Sequence, residues 1–137
     1  MLKTTLLHPE ILETLAAAGH GSRVLIADGN YPFSTGSSPQ AKRVFLNLAP
    51  GLLTVPDVLK VLITAIPVEA AFVMDSQSAQ EPAILGEFRQ LLPELELQKL
   101  ERFAFYDAAR SRDVALVVAT GEQRVYANIL LTIGVVK

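Results

Sequence analysis

The sequence predicts an α/β fold, a three-layer α/β/α domain around a mixed, mostly parallel sheet. Short continuous apolar runs, typical of strands buried on both faces, recur along the chain. They alternate with segments whose apolar residues have helical spacing, and strands separated by helices favour a parallel sheet covered on both faces. The chain has 137 residues without a repeat or linker, so we expect residues 1–137 to form a single domain.

Four segments have the signals of helices. The first three have a capping residue, glycine or proline near an end. In the first, Pro9 suits the opening turn and Gly19 suits the end. The predicted helices are Glu10–Ala18, a segment from Thr54 to about Ile66, Glu81–Leu92 and Phe103–Arg112.

Six segments are predicted to be strands. They are Arg23–Asp28, Arg43–Leu48, Glu69–Met74, Leu95–Leu100, Val114–Ala119 and about Val125–Thr132. Only the short turn Thr120–Gln123 separates the last two, which predicts that they are antiparallel neighbours and that the sheet is mixed. Gly29–Gln40 is rich in Gly, Ser and Pro and is predicted to be a long loop, a type of segment that often carries function.

Composition excludes several classes of function. The 12 basic and 14 acidic residues give a net charge of −2, so there is no basic surplus for nucleic acid. Cysteine is absent, which removes disulfides, thiolate catalysis and cysteine metal sites. The longest apolar run, near Ala127–Val136, is too short to span a bilayer, and the N-terminus lacks the apolar core of a signal peptide. We therefore expect a soluble, cytoplasmic protein without a membrane partner.

The apolar content predicts burial against other subunits. Half of the residues are apolar, and the mean hydropathy is +0.35. So short a chain cannot easily hide that much apolar surface by itself. We expect a homo-oligomer.

Motifs for nucleotides and activated nucleophiles are absent. There is no Gly-x-Gly-x-x-Gly, no P-loop and no Gly-x-Ser-x-Gly elbow. The only histidines, His8 and His20, do not form a helical pair. Nothing therefore indicates a metal site or a cofactor.

Two polar residues bracket the first predicted strand. His20 lies between two glycines, which leave an imidazole uncrowded, although a surface histidine near a helix end would look the same. Asp28 ends the strand, where ligands bind in open α/β sheets, although a turn-forming aspartate is an equal alternative. The strand separates its ends by roughly 20 Å. A shared site would need a loop that folds back or a second subunit.

Further polar residues are weaker candidates. Tyr126 and Asn128 would face the same side of a strand and together offer donors and acceptors for a polyhydroxylated ligand. Arg102 and Tyr106 could meet on one helix face. Glu122, in the last turn, could be only a solvated turn residue.

Four segments together resemble the ribose pyranase / fucose mutarotase family. They are Ala-Gly-His-Gly-Ser-Arg (18–23), Ile-Ala-Asp-Gly-Asn-Tyr-Pro (26–32), Glu-Arg-Phe-Ala-Phe-Tyr (101–106) and Thr-Gly-Glu-Gln-Arg-Val-Tyr-Ala-Asn-Ile-Leu-Leu (120–131). The resemblance covers essentially the whole chain. Arg102 makes it closer to the fucose mutarotase branch, because the ribose branch has a histidine near this position. Gly29, Tyr31 and the loop 34–40 depart from the usual pattern. The departure in the loop bears on substrate identity more than on reaction type.

The resemblance implies a cofactor-free isomerase that interconverts anomers, or pyranose and furanose forms, of a monosaccharide such as L-fucose or D-ribose. It implies homo-oligomers, typically decamers, with sites near subunit interfaces. His20 takes the place of the family's catalytic acid/base. Asp28, Arg102, Tyr126 and Asn128 take the places of its substrate-binding residues.

The implied chemistry is general acid–base catalysis. Opening a sugar ring requires a proton to reach the ring oxygen while another leaves the anomeric hydroxyl, and histidine exchanges protons near neutral pH. Two alternatives remain at this stage. The chain could be a non-catalytic monosaccharide-binding or transport-accessory protein that uses the same pocket. It could also be a structural protein that assembles into rings and has a degenerate site. This alternative is weaker, because the site residues are intact.

Overall fold

Six strands form one mixed sheet with helices on both of its faces. The computed structural model describes residues 1–137. In chain order the elements are α1 (Pro9–Ala18), β1 (Arg23–Ala27), β2 (Lys42–Phe45), α2 (Val55–Leu62), β3 (Val68–Met74), α3 (Ile84–Leu91), β4 (Leu97–Leu100), α4 (Arg102–Ala109), β5 (Val114–Ala119) and β6 (Ile129–Ile133). None of these helices is long and apolar enough to cross a membrane.

The strand order is β2-β5-β1-β6-β3-β4. Five strands run in one direction, while β6 is antiparallel to both of its neighbours, β1 and β3. The predicted mixed sheet is confirmed, but the prediction that the last two strands are neighbours is wrong, because β1 lies between β5 and β6. The physical reason lies before β6, where the backbone N–H of Ala127 is bonded to the Asp28 carboxylate instead of to a hairpin partner.

The predicted helices and strands all exist, but several bounds differ. β2 ends at Phe45 because the next residues fold back on themselves, with the N–H of Leu48 donating to the carbonyl of Leu52. α2 ends at Leu62 because the following residues form tighter turns, as in the bond from the N–H of Ala65 to the carbonyl of Leu62. β6 begins at Ile129 instead of near residue 125.

The two faces of the sheet carry separate apolar clusters. Alternate residues of one strand point to opposite faces. Val24 and Ile26 therefore pack in the larger cluster, which includes buried side chains of α1, α2 and α3. Leu25 and Ala27 pack in the smaller cluster, against Phe105 and Ala109 of α4. The three-layer arrangement is thus unequal, with one helix and a loop on the second face.

The turn after β5 contacts the segment that follows β2. The N–H of Gly121 donates to the carbonyl of Leu53, and its own carbonyl accepts from the N–H of Gly51. A Cβ at Gly121 would lie 2.7 Å from the carbonyl oxygen of Leu52. Only glycine fits this close approach of two backbone segments.

We expect Gly121→Ala to lower the free energy of unfolding by about 1–3 kcal/mol, because the added methyl group must displace backbone. Gly86→Ala is the matched control, since Gly86 lies within α3 and a Cβ there meets nothing within 4 Å. That control should stabilise the protein by about 0.5–1 kcal/mol. Chemical unfolding at fixed protein concentration measures both. Equal stability of the two variants would contradict the close approach.

Candidate functional site

A cavity of about 240 Å³ opens at the edge of the sheet where β1, β3 and β4 end. This is the edge at which open α/β sheets bind ligands. Its size suits a small molecule better than a drug-sized ligand, whose pockets span about 300–1,000 Å³. The lining residues are Asp28, Asn30, Tyr31, Met74, Arg102, Tyr106, Val125, Tyr126 and Asn128.

Asp28 and Asn128 hold two loops together at the floor of this cavity. The backbone N–H of Asp28 donates to Oδ1 of Asn128 over 2.7 Å, and the N–H of Ala127 donates to Oδ2 of Asp28 over 3.3 Å. Oδ1 of Asp28 also accepts from the N–H of Asn30. Both side chains are only 3% exposed. Because Oδ1 of Asn128 is occupied, its Nδ2 amide group is the part that remains for a ligand.

Burial raises the pKa of the Asp28 carboxyl above its ordinary value of 3.8. The N–H groups of Ala127 and Asn30 oppose this shift without cancelling it, and the negative charge of Glu122 adds to it. Asp28 is therefore a carboxylate whose charge is poorly solvated. A ligand that brings hydroxyl donors to Asp28 would replace part of the missing solvation.

Arg102 and Tyr126 form the exposed wall of the cavity. Nη2 of Arg102 donates to the Tyr126 hydroxyl over 2.7 Å, and the guanidinium carbon lies 5.6 Å from the centre of the tyrosine ring. Arg102 is the first residue of α4, whose N-terminus is capped by the Glu101 carboxylate. Tyr126 has φ +56°, in the left-handed region that is costly for a non-glycine residue.

The long loop after β1 supplies the inner wall. Tyr31 is buried, and its hydroxyl donates to the carbonyl of Gly36. Burial raises the pKa of Tyr31, so the phenol stays protonated. Arg43 holds the same loop by donating to the carbonyls of Phe33, Ser34 and Ser38. The segment 29–40 is therefore a loop, as predicted, and it is well anchored.

Glu122 is a buried structural carboxylate and not the solvated turn residue considered above. It is 3% exposed, and its Oε2 accepts from the N–H of Val55 at the start of α2 and from Nη2 of Arg124. Burial pushes the pKa of Glu122 upward, but the bonds from Arg124 and Val55 outweigh that effect and leave the pKa below its ordinary value. Arg124 also contacts Glu87 of α3. These contacts fix the loop from which Tyr126 and Asn128 extend.

His20 lies at the opposite edge of the sheet. It precedes β1, whereas Asp28 follows the same strand, so the two residues do not meet within one chain. The side chain of His20 is 59% exposed, and its Nε2 lies 3.1 Å from Oε2 of Glu69, at the beginning of β3.

The structure thus brings together four of the five site residues proposed from the sequence. Asp28, Arg102, Tyr126 and Asn128 all line the cavity, and His20 does not. Tyr126 and Asn128 lie in the loop before β6, so the prediction that a strand aligns them is wrong. Tyr106 lines the cavity from the same helix as Arg102.

Sequence reasoning missed four lining residues, Asn30, Tyr31, Met74 and Val125. Met74 ends β3 at the carboxyl edge, so the rule that indicated Asp28 could also have indicated Met74. Asn30 and Val125 are chain neighbours of predicted site residues. No group of three or more His, Cys, Asp or Glu residues is arranged to hold a metal ion.

The comparisons with known proteins all identify the same family. The chain matches the model of the RbsD / FucU transport protein family over residues 1–136. It is 34% identical to a D-ribose pyranase of Variovorax paradoxus, with 98% of each chain covered. It is 36% identical to a fucose mutarotase of Mus musculus, with 93% of this chain and 89% of the mouse protein covered. Both branches are represented at nearly equal identity, so these values do not favour the fucose branch.

Two solved structures with bound sugars are similar to this chain over its whole length. Bacillus subtilis RbsD complexed with D-ribose has a TM-score of 0.87 and 28% identity, with 100% of both chains covered. The fucose mutarotase from Streptococcus pneumoniae in complex with L-fucose has a TM-score of 0.85 and 27% identity, again with full coverage of both chains.

The raised pKa of Asp28 predicts a pH-dependent difference in stability between the wild type and Asp28→Asn. The carboxyl contributes stability that is fully present below about pH 3.8 and is lost as the pH rises through its higher folded-state pKa. The variant lacks this titration, so its stability relative to the wild type should increase over that interval and then level off. Urea unfolding between about pH 3.5 and 7 at fixed protein concentration measures the difference. A difference that is constant or falls with pH would contradict the prediction.

Proposed function

The chain belongs to the RbsD/FucU family, and from that membership we propose that it is an isomerase that interconverts the cyclic forms of a free monosaccharide such as L-fucose or D-ribose. In this proposal residues 1–137 are one mutarotase-like domain, located in the cytoplasm and working without a cofactor. The observation that carries the proposal is the convergence of Asp28, Arg102, Tyr126 and Asn128 on one cavity at the carboxyl edge of the sheet.

The cavity residues provide complementary groups for sugar hydroxyls. The Asp28 carboxylate accepts hydrogen bonds, while the Asn128 amide group and the Arg102 guanidinium donate them. The Tyr126 oxygen already accepts from Arg102, so its own O–H is available to donate. Met74 adds an apolar surface for the C–H groups of the ring. Together these contacts would orient a small polyol without any charge of its own.

Ring opening requires a coordinated pair of proton movements. A base removes the proton of the anomeric hydroxyl as an acid protonates the ring oxygen, so that the bond between the anomeric carbon and the ring oxygen breaks and an aldehyde forms. Closure on the other face, or through another hydroxyl, reverses these steps. We assign both movements to His20 acting as a shuttle: the neutral imidazole takes the proton of the anomeric hydroxyl, and the imidazolium then gives that proton to the ring oxygen. Positioned acid–base groups accelerate such steps by about 10²–10⁴-fold.

A second subunit must supply that histidine. His20 and the cavity lie at opposite edges of one sheet, so a complete site needs the His20 edge of one copy against the cavity of another. The cavity rim is suited to such a contact, because the apolar side chains of Phe103 and Val125 are 67% and 62% exposed. We propose a homo-oligomer, with a decamer as the expected size, in which neighbouring subunits share each site.

Catalytic amounts of wild-type protein should accelerate the exchange of anomeric proton signals of at least one sugar. Saturation-transfer NMR with L-fucose, D-ribose and a few other monosaccharides measures this exchange. His20→Ala should lower the acceleration by about 10²-fold or more while the sugar still binds.

His8→Ser is the matched control for this experiment. His8 is the only other histidine, and its Nδ1 caps α1 by accepting from the N–H of Ile11, a role that serine can take over. The control should exchange sugars like the wild type. An unchanged rate in His20→Ala would remove His20 from the mechanism. No acceleration of any sugar by the wild type would favour a binding protein over an enzyme.

Shared sites also predict complementation between two inactive variants. His20→Ala and Asp28→Asn subunits, unfolded together and refolded as mixed oligomers, should regain about a quarter of the wild-type activity, because one pairing in four joins an intact His20 edge to an intact cavity. Native mass spectrometry verifies that mixed oligomers form. Mixed oligomers that form but have no activity would contradict the shared site. A wild-type protein that is monomeric at micromolar concentration by light scattering would contradict it as well.

A further inference from the structure

We propose that Glu69 is a positioning residue for His20 and that Nδ1 of the imidazole is the atom that exchanges protons with the sugar. This inference rests on the proposed function, because it concerns the histidine assigned to proton transfer. The observation behind it is the contact of 3.1 Å between Nε2 of His20 and Oε2 of Glu69. It is the only hydrogen bond of the His20 side chain within the chain.

The backbone at Glu69 is irregular in a way that re-aims its side chain. Along the pairing of β3 with β6, Val68 lies opposite Ile133 and Ala70 lies opposite Thr132, so Glu69 is the extra residue of a β-bulge. A bulge turns its side chain away from the regular alternation of the strand, and bulges are frequent beside active sites. The bulge at Glu69 coincides with the one carboxylate that contacts His20.

The residue that follows the intervening strand β6 is a glycine, and its missing side chain leaves room for His20 and Glu69 to meet. β1 and β3 are separated by β6, so their backbones are about 9.5 Å apart. The chain continues beyond β6 with Gly134, where a Cβ would lie 3.2 Å from Cβ of Glu69 and 3.6 Å from its Oε2. A side chain at Gly134 would therefore crowd the Glu69 side chain at its Cβ and reach van der Waals contact with the carboxylate.

The backbone around His20 gives the imidazole room but no alternative support. Gly19 and Gly21 have φ values of +93° and +82°, and a Cβ at either position would meet nothing within 4 Å. The side chain of His20 is itself 59% exposed, so little packing fixes its ring. Its orientation depends on the contact with Glu69, which itself holds no other ion pair.

The chemistry of the pair assigns the proton-transfer atom. An ionised carboxylate can only accept hydrogen bonds, so Nε2 of His20 must carry a proton to bond with Glu69. In the neutral imidazole the lone pair then lies on Nδ1, and a second proton is gained and lost there. The contact between Glu69 and Nε2 thereby keeps the imidazole in the tautomer that is protonated at Nε2. Nδ1 is then free to exchange a proton with the sugar in the neighbouring subunit's cavity.

Glu69→Ala tests this role. We expect kcat for anomer exchange to fall at least about tenfold with little change in KM, because Glu69 is not one of the cavity residues proposed to bind the sugar. The ¹⁵N NMR signals of the His20 ring should show a proton fixed on Nε2 in the wild type and a mixture of tautomers in the variant. Glu69→Gln, whose Oε1 can still accept from Nε2, should recover most of kcat and the single tautomer.

Glu10→Ala is the matched control. Glu10 is another half-exposed carboxylate with a single ion-pair partner, Lys42, and its removal should leave kcat and the His20 tautomer unchanged. Gly134→Ala provides a second route, because it keeps Glu69 but crowds its side chain at Cβ, and a shift of Glu69 should reproduce part of the loss. Light scattering on each variant verifies assembly.

Two results distinguish a failure of this inference from a failure of the proposed function. In the first, Glu69→Ala keeps the wild-type kcat and the wild-type tautomer while His20→Ala is inactive. This result would overturn the role of Glu69 and leave the proposed function in place. Full activity of His20→Ala would instead overturn the proton-transfer role on which this inference rests.

Discussion

The reciprocal hydrogen bonds between Asp28 and residues 127–128 determine how the rest of the structure is arranged. They join the end of β1 to the chain just before β6, so β6 must start beside β1 and run antiparallel to it. β6 therefore takes the place between β1 and β3 and separates two groups of parallel strands. The same bonds form the cavity floor at one edge, and the course of β6 places Gly134 against Glu69 at the other.

The cavity edge concentrates polar groups that are costly to bury. Asp28 and Glu122 are both almost inaccessible, and the charge of Glu122 contributes to the raised pKa of Asp28. Arg124 neutralises Glu122, whereas Asp28 has only backbone N–H groups and therefore stays poorly solvated. A buried carboxylate that lacks solvation in this way lowers stability. It is suited to bind a ligand that supplies the missing hydrogen-bond donors.

Local pattern accounts for most of the elements and for the position of Asp28, since apolar periodicity, caps and the carboxyl-edge rule all act over a few residues. It could not supply the strand order, which depends on pairings such as that of β1 with β6 about a hundred residues away in sequence. Tyr126 and Asn128 line the cavity from a loop and not from the predicted strand, because the hydrogen bonds that hold this loop come from Asp28 and Glu122. Glu69 had no local signal, because its importance depends on a bulge and on Gly134.

The proposed binding groups and the proposed proton-transfer group lie at opposite edges of one sheet, and in our proposal this separation constrains the assembly. When the His20 edge of each copy meets the cavity of the next, the contact is head to tail, because the two surfaces are different. An open chain of such contacts leaves one cavity without a histidine and one histidine without a cavity. Closure completes every site, either as a two-fold pair that exchanges both surfaces or as a ring. The distance that β1 imposes between His20 and Asp28 is therefore a physical reason for a closed oligomer, independent of how much apolar surface the contact buries.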